Sequence, residues 1–153
     1  MIGREDKISN DLFFTCSLIA YISRKTLNKP SDIVDYLGYE NINKIYSLAD
    51  VYHSDNIEKV SDDFIKTCNI AAGDFDNISN CKYSVPTHFD IGKVYKRLIL
   101  MAANDTGEDI VRTLIDVYHS FICDLIEDYN SSFYYDNPQT IYSTYKNGEV
   151  IKE

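Results

Sequence analysis

Residues 9–22 read SNDLFFTCSLIAYI. Within them Leu12, Phe13, Cys16, Ile19, Ala20 and Ile22 recur at steps of three and four, the spacing of an α-helix that buries one face. Ser9 or Asn10 stands where an N-cap belongs, since a short polar side chain there accepts from amides that the first helical turn leaves free. The same period governs almost the whole chain, and no stretch makes a convincing strand.

Outward from this stretch, the first helix is predicted to end near Leu27–Asn28. Pro30-Ser31 opens a short helix that Gly38 closes. A third helix runs from about Glu40 to His53, with Ile42, Ile45, Leu48, Ala49 and Tyr52 inward. Ser54 or Asp55 caps a fourth, which carries Ile57, Val60, Phe64, Ile65 and Cys68. Residues 70–88 break the period with Gly73, several Asn and Asp, and Pro86. Lys82–Val85 reads there as a short extended segment, and a loop of this length in a small domain is functional or a hinge. A fifth helix covers Phe89–Ala103, with Ile91, Val94, Tyr95, Leu98 and Ile99 inward. Thr106-Gly-Glu-Asp109 reads as a capping box that starts the longest helix, 107–130. Asn137-Pro138 starts the last helix and Gly148 ends it. The expectation is an all-α fold, a compact irregular bundle of about seven helices. It is organised as one domain over residues 1–153, with subdomains 8–69 and 89–148 joined by the loop 70–88.

The chain has 153 residues, and 44% are hydrophobic, enough to build a real core. Its formal net charge is −9, and the acids are spread over both halves. Such a field repels nucleic-acid backbones and anionic membranes. It suits a soluble protein, or one whose partner is a basic protein; a homodimer is a further expectation that the charge does not supply. The longest apolar run, Leu98–Ala103, is far too short to cross a bilayer. The four cysteines form no Cys-x-x-Cys clip, and the first residues lack the apolar core of a signal peptide. The thiols are therefore expected to be reduced, and the protein cytoplasmic.

The pentapeptide Asp-Val-Tyr-His-Ser occurs twice, as Asp50–Ser54 and Asp116–Ser120. Each copy spaces an acid and a histidine three residues apart, as neighbours on a helix. Carboxylate-bridged di-metal bundles use such pairs, but only when they face the core beside further carboxylates. At about 100° per residue, His53 lies roughly 60° and Asp50 roughly 120° from the centre of the third helix's apolar face. In the long helix the face centres on Leu114, Phe121 and Leu125, which points Asp116 and His119 to solvent. No inward carboxylate is evident to complete a site. If either copy does chemistry, it is the first. A metal-dependent enzyme would use Asp50 and His53, with the loop residue His88 as a base.

Residues 31–53 also read as a helix-turn-helix, with Tyr39, Glu40, Asn41, Asn43 and Lys44 as the recognition surface and Arg24, Lys25 and Lys29 near phosphates. The acidity of the chain opposes that reading. There is no phosphate-binding loop, dinucleotide fingerprint or zinc pattern, so no cofactor or metal is implied. Lys93, Lys96 and Arg97 form a small basic face, expected to be neutralised by local ion pairs. Tyr134, Tyr135, Tyr142 and Tyr145 are the candidate interface, because tyrosine supplies contact area at low entropic cost.

Phe13-Phe14-Thr15-Cys16, Ile19-Ala20-Tyr21, the block Leu48–His53 and Asp62-Asp63-Phe64-Ile65 carry a resemblance. Over residues 12–65 the chain resembles a family of small helical Firmicute domains of unknown function. These are often encoded beside ADP-ribosyltransferase-like proteins. The resemblance implies a toxin-partner or regulatory role and brings no catalytic residues with it. The reading that results is a non-enzymatic protein–protein interaction or regulatory module, of which an antitoxin-like partner is one form. The alternatives are the Asp50/His53 metal enzyme and the helix-turn-helix DNA reader.

Overall fold

Eight α-helices and one 3-10 turn make up the computed structural model, which describes residues 4–148. They are α1 (Arg4–Thr26), α2 (Pro30–Ser47), α3 (Ala49–Tyr52), α4 (Ile57–Thr67), α5 (His88–Thr106), α6 (Ile110–His119), α7 (Phe121–Glu127) and α8 (Pro138–Asn147), with the 3-10 turn at Phe133–Tyr135 between α7 and α8. The all-α bundle read from the periodicity is the fold. No strand occurs among the described residues, and Lys82–Val85 forms none.

The bundle is organised around α1, which packs most extensively on α5 and also against α2. The close approach to α5 depends on Gly92. A Cβ at that position would come within 2.3 Å of Ser17 Oγ and 2.8 Å of Ser17 N. With no side chain there, the two backbones meet and the flanking Ile19, Ile22, Ile91, Tyr95 and Leu98 seal the contact. Meanwhile α2 packs on α6, and α8 on α5, so residues before and after the long connection share one hydrophobic core. Tyr95 and Tyr118 stack at its centre, ring centroids 4.2 Å apart, a pair worth about 1 kcal/mol beyond its burial.

Several helix boundaries differ from the sequence expectation. The predicted long helix 107–130 is two helices. Ser120 leaves the helical region (φ −83°, ψ 167°) and its hydroxyl accepts from the Ile122 amide, capping α7. The third helix likewise stops at Ser47, and Ala49–Tyr52 forms one separate turn. Gly38 interrupts α2 as a kink (φ 71°, ψ 170°) rather than ending it. The capping box lies at the start of α5, where Thr87 and Asp90 each accept from the other's backbone amide. Thr106, read as a cap, instead belongs to the last turn of α5, and Gly107 closes that helix in the left-handed region. Asp109 caps α6 in its place.

The connection 68–87 is pinned at both ends. Its Gly73 and Phe75 amides donate to the carbonyls of Thr26 and Leu27 at the end of α1. A Cβ on Gly73 would meet the Leu27 carbonyl at 2.5 Å, so only glycine permits this seam. Further on, the Lys82 amide donates to the Asn130 side chain, which itself donates to the Asn80 carbonyl.

Candidate functional site

The residues singled out in the sequence fall on separate elements. Asp50 and His53 are both exposed, on and just after α3. Asp116 and His119 are exposed near the end of α6, not in mid-helix, and the His119 ring nitrogen lies 2.6 Å from Asp35. Both pentapeptides therefore close a helix. His88 opens α5 with its ring edge-on to Tyr21 and 4.2 Å from the Phe89 ring. Its Nε2 is buried without a hydrogen-bond partner, and burial, with Arg24 nearby, lowers its pKa. Among the described residues no group of three or more His, Cys, Asp or Glu side chains could hold a metal ion.

Two of the five helix-turn-helix residues have partners inside the molecule, while Glu40, Asn43 and Lys44 are exposed. The Tyr39 hydroxyl donates to Asp109 at 2.9 Å beneath the Arg112 guanidinium, and Asn41 donates to the Leu37 carbonyl. The neighbouring cations are similarly occupied. Lys25 pairs with Asp62 and Glu58, Lys29 with Asp124, and Arg24 donates to the Tyr129 hydroxyl.

The four tyrosines do not share one surface. Tyr134 is buried, its ring 5.7 Å from that of Tyr129. Tyr135 beside it is 78% exposed. Tyr142 donates to Asp105 at the end of α5, and Tyr145 is half-buried near Asp116 and Glu108.

Two features went unread in the sequence. The first is a buried polar cluster centred on Glu127, the last residue of α7, which is only 6% exposed. Its Oε2 accepts from Tyr95 at 2.7 Å and its Oε1 from Tyr129 at 2.9 Å. Asn77, from the long connection, donates to its carbonyl at 2.8 Å and to Oε1 at 3.3 Å. Arg24 closes the cluster by donating to Tyr129 at 3.0 Å with its guanidinium over that ring. Burial raises the Glu127 pKa, and the hydrogen bonds from Tyr95 and Tyr129 oppose the rise. A buried acid of raised pKa is what general acid catalysis requires. Here, however, both carboxylate oxygens accept internal hydrogen bonds, and the Cys123 thiol, whose sulfur lies 3.3 Å from the Tyr95 hydroxyl, is pushed up to about 12 by burial. The arrangement joins α1, α5, α7 and the connection. It is suited to holding them together.

The second feature is a groove of about 290 Å3 between α5 and α8. Leu98 and Ile141 are buried at its base, with Val94 and Tyr134 beside them. Tyr135 rims it and also lines the adjoining hollow with Tyr83, which is 68% exposed. Lys93 and Arg97, one helical turn apart on α5, form the charged wall. Neither has an ion-pair partner among the described residues, so the neutralisation expected of this basic face does not occur.

No family model matches the chain, and no curated protein or solved structure matches it either. The groove and the Glu127 cluster are therefore read from their own geometry. The signal for the groove was present in the adjacency of Phe133-Tyr134-Tyr135 to the cap Asn137-Pro138. That short spacing makes the chain turn beside α5 and leaves one ring of the run outside.

Proposed function

We propose that the chain is a non-enzymatic interaction module that binds another protein through the aromatic surface around Tyr135. One observation supports this above the rest. Tyr83 and Tyr135, the two most exposed large hydrophobic residues among the described residues, line one hollow beside the α5–α8 groove. Clustered exposed aromatics mark binding surfaces, and tyrosine is enriched in them. The internal engagement of Glu127 favours a structural use of the buried polar groups over a catalytic one.

The remaining acidity, −9 overall, suits a partner that is basic as a whole, and a cytoplasmic antitoxin-like or regulatory role fits the resemblance of residues 12–65. No helix among the described residues is long and apolar enough to cross a membrane. The test is a photoreactive amino acid placed at Tyr135, with a control at Lys59 on α4, in cells that express the chain natively. A protein adduct from position 135 that is absent from position 59 supports the reading. Recovery of the chain alone from position 135, as a monomer, counts against it.

A further inference from the structure

We infer that the α5–α8 groove takes a peptide segment of its partner that carries a large apolar side chain flanked by a carboxylate. This inference rests on the interaction reading above and names the chemistry of the occupant. The hollow is at or below the small end of cofactor and drug-like sites, which run from about 300 to 1,000 Å3, and it matches a side-chain anchor better than a bound small molecule. Its base of Val94, Leu98 and Ile141 is apolar, so the anchor is apolar too.

Charge fixes the flank. Lys93 and Arg97 stand one turn apart on the same side of α5, exposed and without ion-pair partners among the described residues. Two carboxylates also line the groove. Asp90 is committed to the capping box, where it accepts from the Thr87 amide at 2.9 Å, and the N-terminal end of α5 further offsets its charge. Asp136 lies across the groove, just before α8. The α5 wall beyond Asp90 is thus locally cationic on an acidic protein. An acidic side chain two to four residues from the anchor meets Lys93 and Arg97, and Arg97 can grip it with two parallel donors. A partner that is basic as a whole still presents a locally acidic anchor here.

The experiment pans a random display library of 16-residue peptides on the full-length chain, then measures the enriched peptides by fluorescence anisotropy. Peptides with a large apolar residue near Asp or Glu are expected. Their affinity should fall about tenfold or more on the double substitution Lys93→Glu, Arg97→Glu, and should weaken as salt rises. Both residues are exposed, so an unchanged circular dichroism spectrum establishes that the variant is folded. Peptides that bind equally well to that variant, yet lose binding on Tyr135→Ala, overturn the acidic-anchor inference and leave the interaction reading standing. No enrichment, or enriched peptides indifferent to Tyr135→Ala, overturns both. Concentration-dependent self-association abolished by Tyr135→Ala assigns the groove to a second copy of the chain and also overturns the inference.

Discussion

The Tyr95 hydroxyl donates to the Glu127 carboxylate at 2.7 Å, joining α5 to the end of α7 inside the core. Desolvation of that carboxylate opposes folding whenever it is charged, and the hydrogen bonds around it offset part of the cost.

This gives a pH dependence with a definite sign. The folded pKa of Glu127 lies above its ordinary value of 4.5, so the folded protein holds this proton more tightly than the unfolded chain. Its contribution favours folding at low pH and is lost as pH rises from the ordinary value through the raised one. Glu127→Gln removes the titration while keeping an acceptor oxygen. Urea midpoints measured from about pH 4 to about pH 8 should show the variant gaining on the wild type as pH rises. A constant difference across that range would mean that the carboxylate is not desolvated.

Gly92→Ala should destabilise the protein by about 1–3 kcal/mol, although alanine is the better helix former by about 1 kcal/mol. The new methyl would press on the Ser17 backbone, which cannot swing aside as a flexible side-chain tip would. Chemical denaturation measures the difference. A net gain in stability would contradict the close α1–α5 contact.

The two pentapeptides should respond differently to the same change. Ser120→Ala removes the cap of α7 and should cost about 1 kcal/mol. Ser54→Ala removes only an exposed 3.3 Å bond to the Asp50 carbonyl and should fall within about 0.5 kcal/mol of wild type. Thermal denaturation of both variants makes the comparison, and equal costs would refute it.

Thiol reactivity should follow burial. Cys16 and Cys123 are buried, and burial pushes both thiols up to about 12. Cys68 and Cys81 are only partly covered. With a chromogenic disulfide reagent at mildly alkaline pH, Cys68 and Cys81 should react first and the other two only at the rate of unfolding. Rapid modification of all four in the folded protein would contradict the core described above.

Local signals proved legible where a single residue decides a boundary. Pro30 and the pair Asn137-Pro138 start helices, and Gly148 ends one in the left-handed region, as their chemistry predicts. The core faces of α1 and α5 follow from their spacing alone, since Leu12, Cys16, Ile19, Ile22, Ile91, Tyr95, Leu98 and Ile99 are all buried. What could not be read was Ser120. Apolar residues continue on both sides of it, so the period gives no notice that one helix has ended and another begun. Carried straight through that break, the helical phase puts Phe121 and Leu125 inward. The restart at Ser120 rotates the following turn, so Ile122, Cys123, Ile126 and Glu127 are buried and Phe121 and Leu125 are left half-covered. One unnoticed cap thus hid Glu127, the more deeply buried of the two carboxylates, with Asp11, that are buried among the described residues. The unpaired state of Lys93 and Arg97 was hidden for another reason, because ion pairing depends on neighbours that only tertiary packing supplies.

The break at Ser120 also bears on the order of assembly. By turning α7 inward it brings one carboxylate to a point where Arg24, Asn77, Tyr95 and Tyr129 converge from four different parts of the chain. A half-built bundle lacking Asn77 or Tyr95 would enclose that acid with too few donors, a penalty that grows as water is excluded. Partly assembled forms are therefore penalised relative to both the open chain and the finished one. The long connection, which supplies Asn77, docks in the same step as the helices, and the molecule should fold in a single cooperative transition.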